Sequence, residues 1–178
     1  MRRIVAVAVS AVTLTGGLAL GTPAQAATNS ALVKTTAVKT ETLSGKAFLA
    51  QAKSEGKAYS AKEAAAIAKA TSCRSLQRTE AYTRGSSSRW VFFVRTKLNW
   101  CWNGTQVVGS YGATDTYYTS NKTVYKWRGW ANKSLTHGPT YLSVTTYVRG
   151  RFVYGSRTYK PYVKIQGFYN GAANQWWG

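Results

Sequence analysis

The sequence contains few acidic residues, cysteines and histidines. Its 178 residues include 5 Asp and Glu, 2 Cys and 1 His. Two cysteines and one histidine cannot form a four-ligand Cys/His zinc site, and five carboxylates are few for calcium cages or paired-carboxylate catalysis. The glycine motifs of nucleotide-binding loops are also missing. We therefore expect a protein that holds no metal ion or cofactor and is not an enzyme.

Three hydrolytic arrangements are the alternatives. A glycosidase needs two carboxylates, and after residue 72 only Glu80 and Asp115 are present, among many cations. A Ser–His–Asp triad could use His137 with Asp115, but no Gly-x-Ser-x-Gly motif precedes a helix. His137 instead lies in a Thr-His-Gly-Pro sequence that is typical of a turn. A ribonuclease could combine Glu80, His137 and an arginine, but their spacing gives this no support.

A long apolar run occurs only near the N-terminus, where residues 1–26 have the pattern of a secretory signal peptide. Two arginines precede the apolar segment 4–14, and Ala-Gln-Ala at 24–26 matches the small-x-small cleavage rule. A retained anchor is the alternative, but polar residues, glycines and Pro23 interrupt the run before the roughly 20 apolar residues that a spanning helix needs. We expect a secreted, extracellular monomer without a transmembrane anchor, whose mature chain starts at Ala27.

Cys73 and Cys101 are the only cysteines of the chain. In an oxidising compartment they can form a single intramolecular disulfide, which we predict, and two free thiols are the alternative. By the chain-entropy estimate, closing this loop would stabilise the fold by roughly 3–4 kcal/mol.

The mature chain changes composition twice before it becomes aromatic. Residues 27–43 are rich in Thr, Ala and Lys, and they predict a flexible or weakly ordered lead-in, or one edge strand. Residues 44–72 form an Ala-rich helical segment with helices predicted at 46–54 and 61–70. A Ser-x-x-Glu capping box begins the second of these helices.

Residues 73–178 have the composition and periodicity of β-strands. This segment holds 22 of the 24 aromatic residues and is rich in Val and Thr. Short strands separated by turn residues predict an antiparallel β-sandwich, immunoglobulin-like or similar, preceded by the two helices and tied by one disulfide. The strands are predicted at 76–83, 89–102, 105–109, 112–119, 123–130, 140–149, 151–154 and 158–169.

The clearest predicted strand is 89–102. Alternation places six apolar residues on one of its faces: Trp90, Phe92, Val94, Leu98, Trp100 and Trp102. Asn103-Gly104 predicts a type I′ hairpin that would set Val107 opposite Trp100. Because Cys101 lies on the other face, we expect the helices to pack there, near Phe93 and Cys101.

Two segments of this region carry a family resemblance. Trp-Cys-Trp-Asn-Gly at 100–104 and Pro-Tyr-Val-Lys-Ile at 161–165 resemble small secreted actinobacterial proteins with a predicted β-sandwich. The resemblance covers about 89–108 and 158–171. It implies export by a Gram-positive cell and a sandwich fold, and it supplies no catalytic residue.

The strongest functional signal is charge. The chain carries 24 Lys and Arg and a formal net charge of +19, which becomes +17 if the signal peptide with its two arginines is removed. A surface with so few carboxylates attracts polyanions. Outside a Gram-positive cell these are teichoic-type wall polymers, anionic lipid headgroups and extracellular DNA. The alternative is that the charge only keeps a secreted β-protein soluble and protects its sheet edges.

The candidate contact residues lie at the end of the strand predicted at 123–130. Alternation places Lys126 and Arg128 on one face together with Trp130, and we predict that these three residues contact a polyanion or a glycan. Tyr125 and Trp127 would lie on the opposite face. Most other aromatic residues are expected in the core.

Two further surface features follow from local sequence. The terminal pair Trp176–Trp177 either plugs an open end of the sandwich or remains available for contact. Asn103, Asn121 and Asn132 begin Asn-x-Thr/Ser sequences, which we interpret as turns and not as glycan acceptors.

These observations predict a secreted, non-enzymatic, basic binding module for an extracellular anionic or glycan-rich polymer, such as cell wall or nucleic acid. The alternative partner is a secreted protein, which the chain would meet as a hydrolase inhibitor, a coat component or an antibacterial effector. An inhibitor would expose a rigid reactive loop, and no such loop is recognisable in the sequence.

Overall fold

A computed structural model describes residues 31–178, except for the side chains of residues 113 and 114. The predicted signal peptide lies outside the described residues. The helices and strands are β1 (Leu32–Leu43), α1 (Gly45–Ser54), α2 (Ala61–Ala68), β2 (Ser72–Arg84), β3 (Trp90–Trp102), β4 (Val107–Thr119), β5 (Lys126–His137), β6 (Ser143–Tyr154), β7 (Arg157–Tyr159), β8 (Tyr162–Phe168) and β9 (Ala173–Trp177).

The strands form two antiparallel sheets, each built from consecutive stretches of the chain. The first sheet has the order β1-β2-β3-β4, and the second has the order β5-β6-β8-β9, with β7 paired to β6. One hydrophobic core takes residues from both sheets, which therefore pack face to face as a sandwich. The predicted mainly β fold with two helices and one disulfide is confirmed.

The core-facing side of β3 is the predicted one, with one exception. Phe92, Val94, Leu98, Trp100 and Trp102 are buried against Val144, Val148, Phe152, Val163 and Ile165 of the second sheet. Trp90 departs from this face because Val91 is the extra residue of a bulge: Tyr82 pairs with Phe92, but Thr83 pairs with Trp90. The Trp90 ring consequently packs against Phe93, on the outer face, at 5.3 Å.

The two helices cover one end of the first sheet's outer face. Phe48, Ala52 and Ile67 are fully buried there in a second small core that includes both cysteines. The Ser60–Glu63 capping box is present at the start of α2. The helices therefore pack near Cys101 as expected, whereas the expectation for Phe93 is wrong, because its ring stacks on Tyr118 at 5.4 Å near the far end of β3.

The disulfide joins directly opposed residues of β2 and β3. Cys73 and Cys101 are register partners, with their Cα atoms 4.0 Å apart. Cys73 follows α2 by a few residues, so the bond fixes the end of the helical segment to the central hairpin of the first sheet.

The β3–β4 hairpin has a longer loop than the sequence predicted. Asn103 donates its backbone N–H to the carbonyl of Gln106 at 3.2 Å, and its side-chain oxygen accepts from the backbone N–H of Thr105 and Gln106. Val107 consequently lies opposite Trp102 and not opposite Trp100. The observed turn is therefore closed by the Asn103 side chain, and the predicted two-residue type I′ turn is not formed.

The lead-in segment forms an edge strand, which was one of its two predicted forms. Residues 32–43 are the edge strand β1, which pairs with β2 along its whole length.

Across residues 31–178, no helix combines the length and apolar character needed to span a membrane. Nor do these residues bring together three or more His, Cys, Asp or Glu side chains that could hold a metal ion.

Candidate functional site

A basic, aromatic-floored hollow lies where β4 passes into β5. It has a volume of about 630 Å³. We call it the β4–β5 hollow, and its lining residues are Tyr117, Thr119, Lys122, Thr123, Lys126, Trp127 and Arg128. Two of the three predicted contact residues, Lys126 and Arg128, are thus brought together, and both are exposed.

The floor of the hollow is a pair of stacked rings from different sheets. Tyr117 of β4 and Trp127 of β5 lie 4.1 Å apart, with an interplanar angle of 7°. Gly150 of β6 makes room for this arrangement, because a Cβ atom there would come within 2.7 Å of the Trp127 ring. The stack closes this side of the sandwich and leaves 41% of Tyr117 exposed.

Trp130 is not on the face that alternation predicted. Its register partner is Gly150, while Trp127 pairs with Phe152, so a bulge between them puts both tryptophans on the core side. Gly129 permits this bulge with a φ of +92°. Trp130 is half-buried, and its ring lies edge-on to that of Trp127 at 5.0 Å. The prediction of an exposed Trp130 is therefore wrong, and Trp127 takes its place at the hollow.

A hydrogen-bonded turn positions Lys122, a residue that was not predicted as a contact from the sequence. The Asn121 side-chain oxygen accepts from the backbone N–H of Thr123 at 3.0 Å and of Val124 at 3.2 Å. The backbone N–H of Tyr125 also donates to the Asn121 carbonyl at 2.8 Å. The interpretation of this Asn-Lys-Thr sequence as a turn is confirmed. The turn was the sequence feature from which an exposed, fixed Lys122 could have been predicted. For Asn132 the interpretation as a turn is wrong, because this residue lies within β5.

The charge around the hollow has one sign. Residues 116–178 contain nine Lys and Arg and no Asp or Glu. Among the described residues, Lys122, Lys126 and Arg128 form no ion pair with a carboxylate. The carboxylate that reaches this region is Asp115, whose Oδ2 lies 3.2 Å from Nζ of Lys133. The three cations of the hollow are therefore available to an external anion.

A second hollow lies on the other face of the same end of β4. It has a volume of about 590 Å³, and we call it the Trp90 hollow. It is lined by Arg84, Ser87, Ser88, Arg89, Trp90, Val91, Phe93, Tyr118 and Ser120. Because Tyr117 and Tyr118 are neighbours in β4, their side chains point to opposite faces and each contributes to one hollow.

The residues considered for hydrolysis do not form one site. Glu80 is fully buried on β2, and neither carboxylate oxygen has a hydrogen-bond partner among the described protein atoms. Burial raises the pKa of Glu80, against the opposing effect of Lys34 and Arg78. Asp115 accepts a hydrogen bond from Thr96 at 2.7 Å. Because β3 separates β2 from β4, the strands that carry the two carboxylates lie two strand spacings apart, about 10 Å.

His137 makes a contact that the sequence did not suggest. Its Nε2 lies 2.8 Å from the Ser110 hydroxyl, a distance suited to a nucleophile and its base. Asp115, the carboxylate considered for a triad, is instead engaged with Thr96 and Lys133. His137 is the last residue of β5 and is exposed, so the pair lies at the surface.

The terminal tryptophans belong to a strand at the edge of the second sheet. Trp176 and Trp177 are 38% and 46% exposed in β9. Trp177 pairs with the core residue Val163 and covers Arg78 of the first sheet, whereas Trp176 pairs with Lys164 on the outer face. Each ring has a cation over it: Lys164 lies 4.6 Å from the ring centre of Trp176, and Arg78 lies 3.3 Å from that of Trp177. These rings hold cations in place and remain partly open to solvent.

Comparison with known proteins gives no assignment for these hollows. No protein-family model matches the sequence, and no curated protein or solved structure is significantly similar to it.

Proposed function

We propose that the protein is a secreted, non-enzymatic module that binds an extracellular anionic polymer through the β4–β5 hollow. The observation that carries this proposal is the set of three cations, Lys122, Lys126 and Arg128, around the stacked Tyr117 and Trp127 rings. Lysine and arginine bind phosphate and carboxylate groups, and exposed aromatic rings beside them can pack on the sugar or backbone of the polymer.

The grouping of the charges favours binding over a role in solubility alone. A charge that only prevents association can be spread over any exposed position. Here the hydrogen-bonded turn at Asn121 holds Lys122 near Lys126 and Arg128, and the hollow lies within a stretch of 63 residues that contains no Asp or Glu (178 − 115). Such preorganisation lowers the entropic cost of binding a flexible anion.

The proposal is tested by binding measured as a function of salt. Wild-type protein is titrated with inorganic polyphosphate and with single-stranded DNA, and the logarithm of the binding constant is plotted against that of the salt concentration. For Lys126→Gln/Arg128→Gln we expect a slope smaller by about 1.4, because two contacts are lost at about 0.7 each. The matched control is Lys46→Gln/Lys62→Gln, which removes the same charge from exposed positions on α1 and α2.

Two results would contradict the proposal. Equal slopes for the hollow variant and the helix variant would mean that the hollow holds no particular part of the polymer. Wild-type binding that is equally tight at low and high salt would exclude an electrostatic mechanism.

The Trp90 hollow supports a second candidate function, the binding of a secreted protein. It combines two arginines with Trp90 and Tyr118, residue types that are enriched in protein interface hot spots, and with the aromatic ring of Phe93. Trp90→Ala should abolish such binding and leave polyphosphate binding intact. Culture-medium proteins retained by immobilised wild type but not by this variant would favour this function, and equal retention would oppose it.

A further inference from the structure

The outer face of the second sheet carries a band of alternating cations and rings. Register pairs bring Arg149 of β6 beside Tyr162 of β8, Tyr147 of β6 beside Lys164 of β8, and Lys164 beside Trp176 of β9. These side chains point away from the core, because their neighbours Val148, Val163 and Ile165 are buried between the sheets. Both helices of the described chain lie on the first sheet, so they leave this band uncovered.

The rings of the band support the cations. The Arg149 guanidinium lies 5.4 Å from the ring centre of Tyr162 and 5.9 Å from that of Tyr147. The Lys164 ammonium lies 4.6 Å from the ring centre of Trp176. Cation–π contacts of this kind fix the position of long, flexible side chains without neutralising their charge.

A hydrogen bond connects this band to the β4–β5 hollow. Arg151, two residues beyond Arg149 on β6, donates from its guanidinium to the backbone carbonyl of Arg128 at 3.2 Å. Residues two apart on a strand point to the same face and are separated by about 7 Å. Arg128, Arg151, Arg149 and Lys164 therefore form a continuous row of positive charge that starts at the hollow and crosses the second sheet.

We propose that this row, which we call the sheet track, is a second binding surface for a linear phosphate-linked polymer that is recognised by its phosphates and not by its bases. This inference rests on the proposed function and names the chemical class of its ligand. Every residue of the track comes from the stretch 116–178, which contains no Asp or Glu. The track is therefore complementary in charge to a polymer of phosphates.

The ring geometry favours recognition of the polymer backbone over recognition of bases. Proteins that bind single strands through their bases expose aromatic faces on which successive bases stack. On the sheet track, Arg149 and Lys164 occupy ring faces of Tyr162 and Trp176. In the hollow, Tyr117 and Trp127 face each other. A base that stacked on one of these occupied ring faces would have to displace a cation or separate the Tyr117–Trp127 stack. A phosphate, in contrast, gains a contact from every cation that stays in place.

The experiment compares two ligands that differ only in their bases. Oligo(dT) of about 20 nucleotides, longer than a typical single-strand site, and an abasic deoxyribose-phosphate oligomer of equal length carry the same charges. Each is titrated against wild type, Arg149→Gln/Lys164→Gln, the hollow variant Lys126→Gln/Arg128→Gln and the helix control Lys46→Gln/Lys62→Gln. Urea unfolding midpoints verify that each variant is folded.

We expect both oligomers to bind wild type with affinities within about threefold of each other. Arg149→Gln/Lys164→Gln should weaken both by about tenfold at low salt, the effect of two exposed charge contacts. It should also reduce the salt slope by about 1.4. The loss should largely disappear for oligomers of about 4 nucleotides, which can occupy the hollow without reaching Lys164.

Different failures separate the two proposals. If the hollow variant weakens binding but Arg149→Gln/Lys164→Gln binds like wild type, the sheet track is wrong and the hollow stands. If oligo(dT) binds more than tenfold more tightly than the abasic oligomer, the protein reads bases and the phosphate assignment is wrong. If wild type binds neither oligomer nor polyphosphate at low salt, the proposed function fails and the sheet track fails with it.

Discussion

The two sheets of the sandwich differ in how their outer faces are used. The first sheet is covered at one end by α1 and α2, and a disulfide ties β2 to β3. All five acidic residues belong to the first sheet and its helices: Glu41, Glu55, Glu63, Glu80 and Asp115. Within the described chain, the second sheet has no Asp or Glu, no disulfide and no helix over it. Stabilising features are thus concentrated in the first sheet, while the second carries unneutralised cations on an open face.

This difference shows why net charge alone is a weak guide to a binding surface. The helical segment also carries five lysines, at 46, 53, 57, 62 and 69. There, however, Glu63 closes a capping box and Glu55 pairs with Lys97 at 2.7 Å. The helical segment thus holds two carboxylates beside its five lysines, whereas the cations of the second sheet contact aromatic rings and, for Arg151, the backbone carbonyl of Arg128.

The largest effect should come from the residue that joins the two sheets. Trp100 of β3 is fully buried, and its indole N–H donates to the carbonyl of Phe168 in β8 at 3.2 Å. Trp100→Ala should lower the free energy of unfolding by about 4 kcal/mol, measured by urea denaturation. The matched control is Trp176→Ala on the edge strand, for which we expect less than about 1 kcal/mol. Similar losses for the two variants would contradict the assignment of Trp100 to a shared core.

Removal of the disulfide should increase local unfolding more in the first sheet than in the second. Cys73→Ser/Cys101→Ser opens a link between residues 28 apart in sequence and should cost about 3–4 kcal/mol. Hydrogen exchange should increase most in β2, β3 and the helices, which surround the bond. An equal increase across β5, β6 and β8 would mean that the disulfide stabilises the whole sandwich and not the first sheet.

Glu80 of the first sheet should make the stability of the protein depend on pH. Because burial raises its pKa in the folded protein, the folded state favours the protonated acid. The contribution of Glu80 to stability should therefore be greatest below the ordinary carboxyl pKa and should be lost as the pH rises through the elevated value. Glu80→Gln should flatten this decline and be relatively more stable at neutral pH, in urea titrations from pH 4 to 8 (about the range in which a raised carboxyl pKa acts).

The matched control for this prediction is Glu41→Gln, which removes the same charge from an exposed position on β1. A Glu80→Gln profile that coincides with that of wild type would show that the buried carboxylate does not titrate differently in the folded and unfolded states.

The smallest effect should come from the carboxylate that reaches the second sheet. Asp115→Asn releases Lys133 from its ion pair and leaves the hydrogen bond to Thr96 possible. If the second sheet binds a polyanion, the added free cation should raise the salt slope by about 0.7 and the affinity about twofold. A decrease in affinity, measured by the same salt titration, would place the bound polymer elsewhere.

Much of the fold could be predicted from periodicity, and the errors have local causes. The alternation in β3 identified the core face because five of its six residues keep the pleat. Bulges at Val91 and Gly129 each inserted one residue and turned Trp90 and Trp130 to the other face. A glycine inside a strand often indicates a bulge, so the bulge at Gly129 could have been predicted from the sequence. No comparable residue indicates the bulge at Val91.

The candidate site was less predictable because it depends on how the sheets pack. Lys126 and Arg128 were found from the sequence since they lie close together in one strand. Tyr117 belongs to the other sheet, and only the packing of β4 beside β5 brings its ring to Trp127. The sheet track likewise requires the register between β6 and β8, which periodicity within each strand does not contain.

The most direct test of the central claim is a map of amide chemical-shift changes as inorganic polyphosphate is added to the protein. We predict that the changes concentrate in residues 116–178, strongest near Lys122, Lys126 and Arg128, and that the five-lysine helical segment changes little. Changes distributed over both regions in proportion to their positive charge, or centred on the helices, would contradict the claim that the second sheet and its hollow form the binding surface.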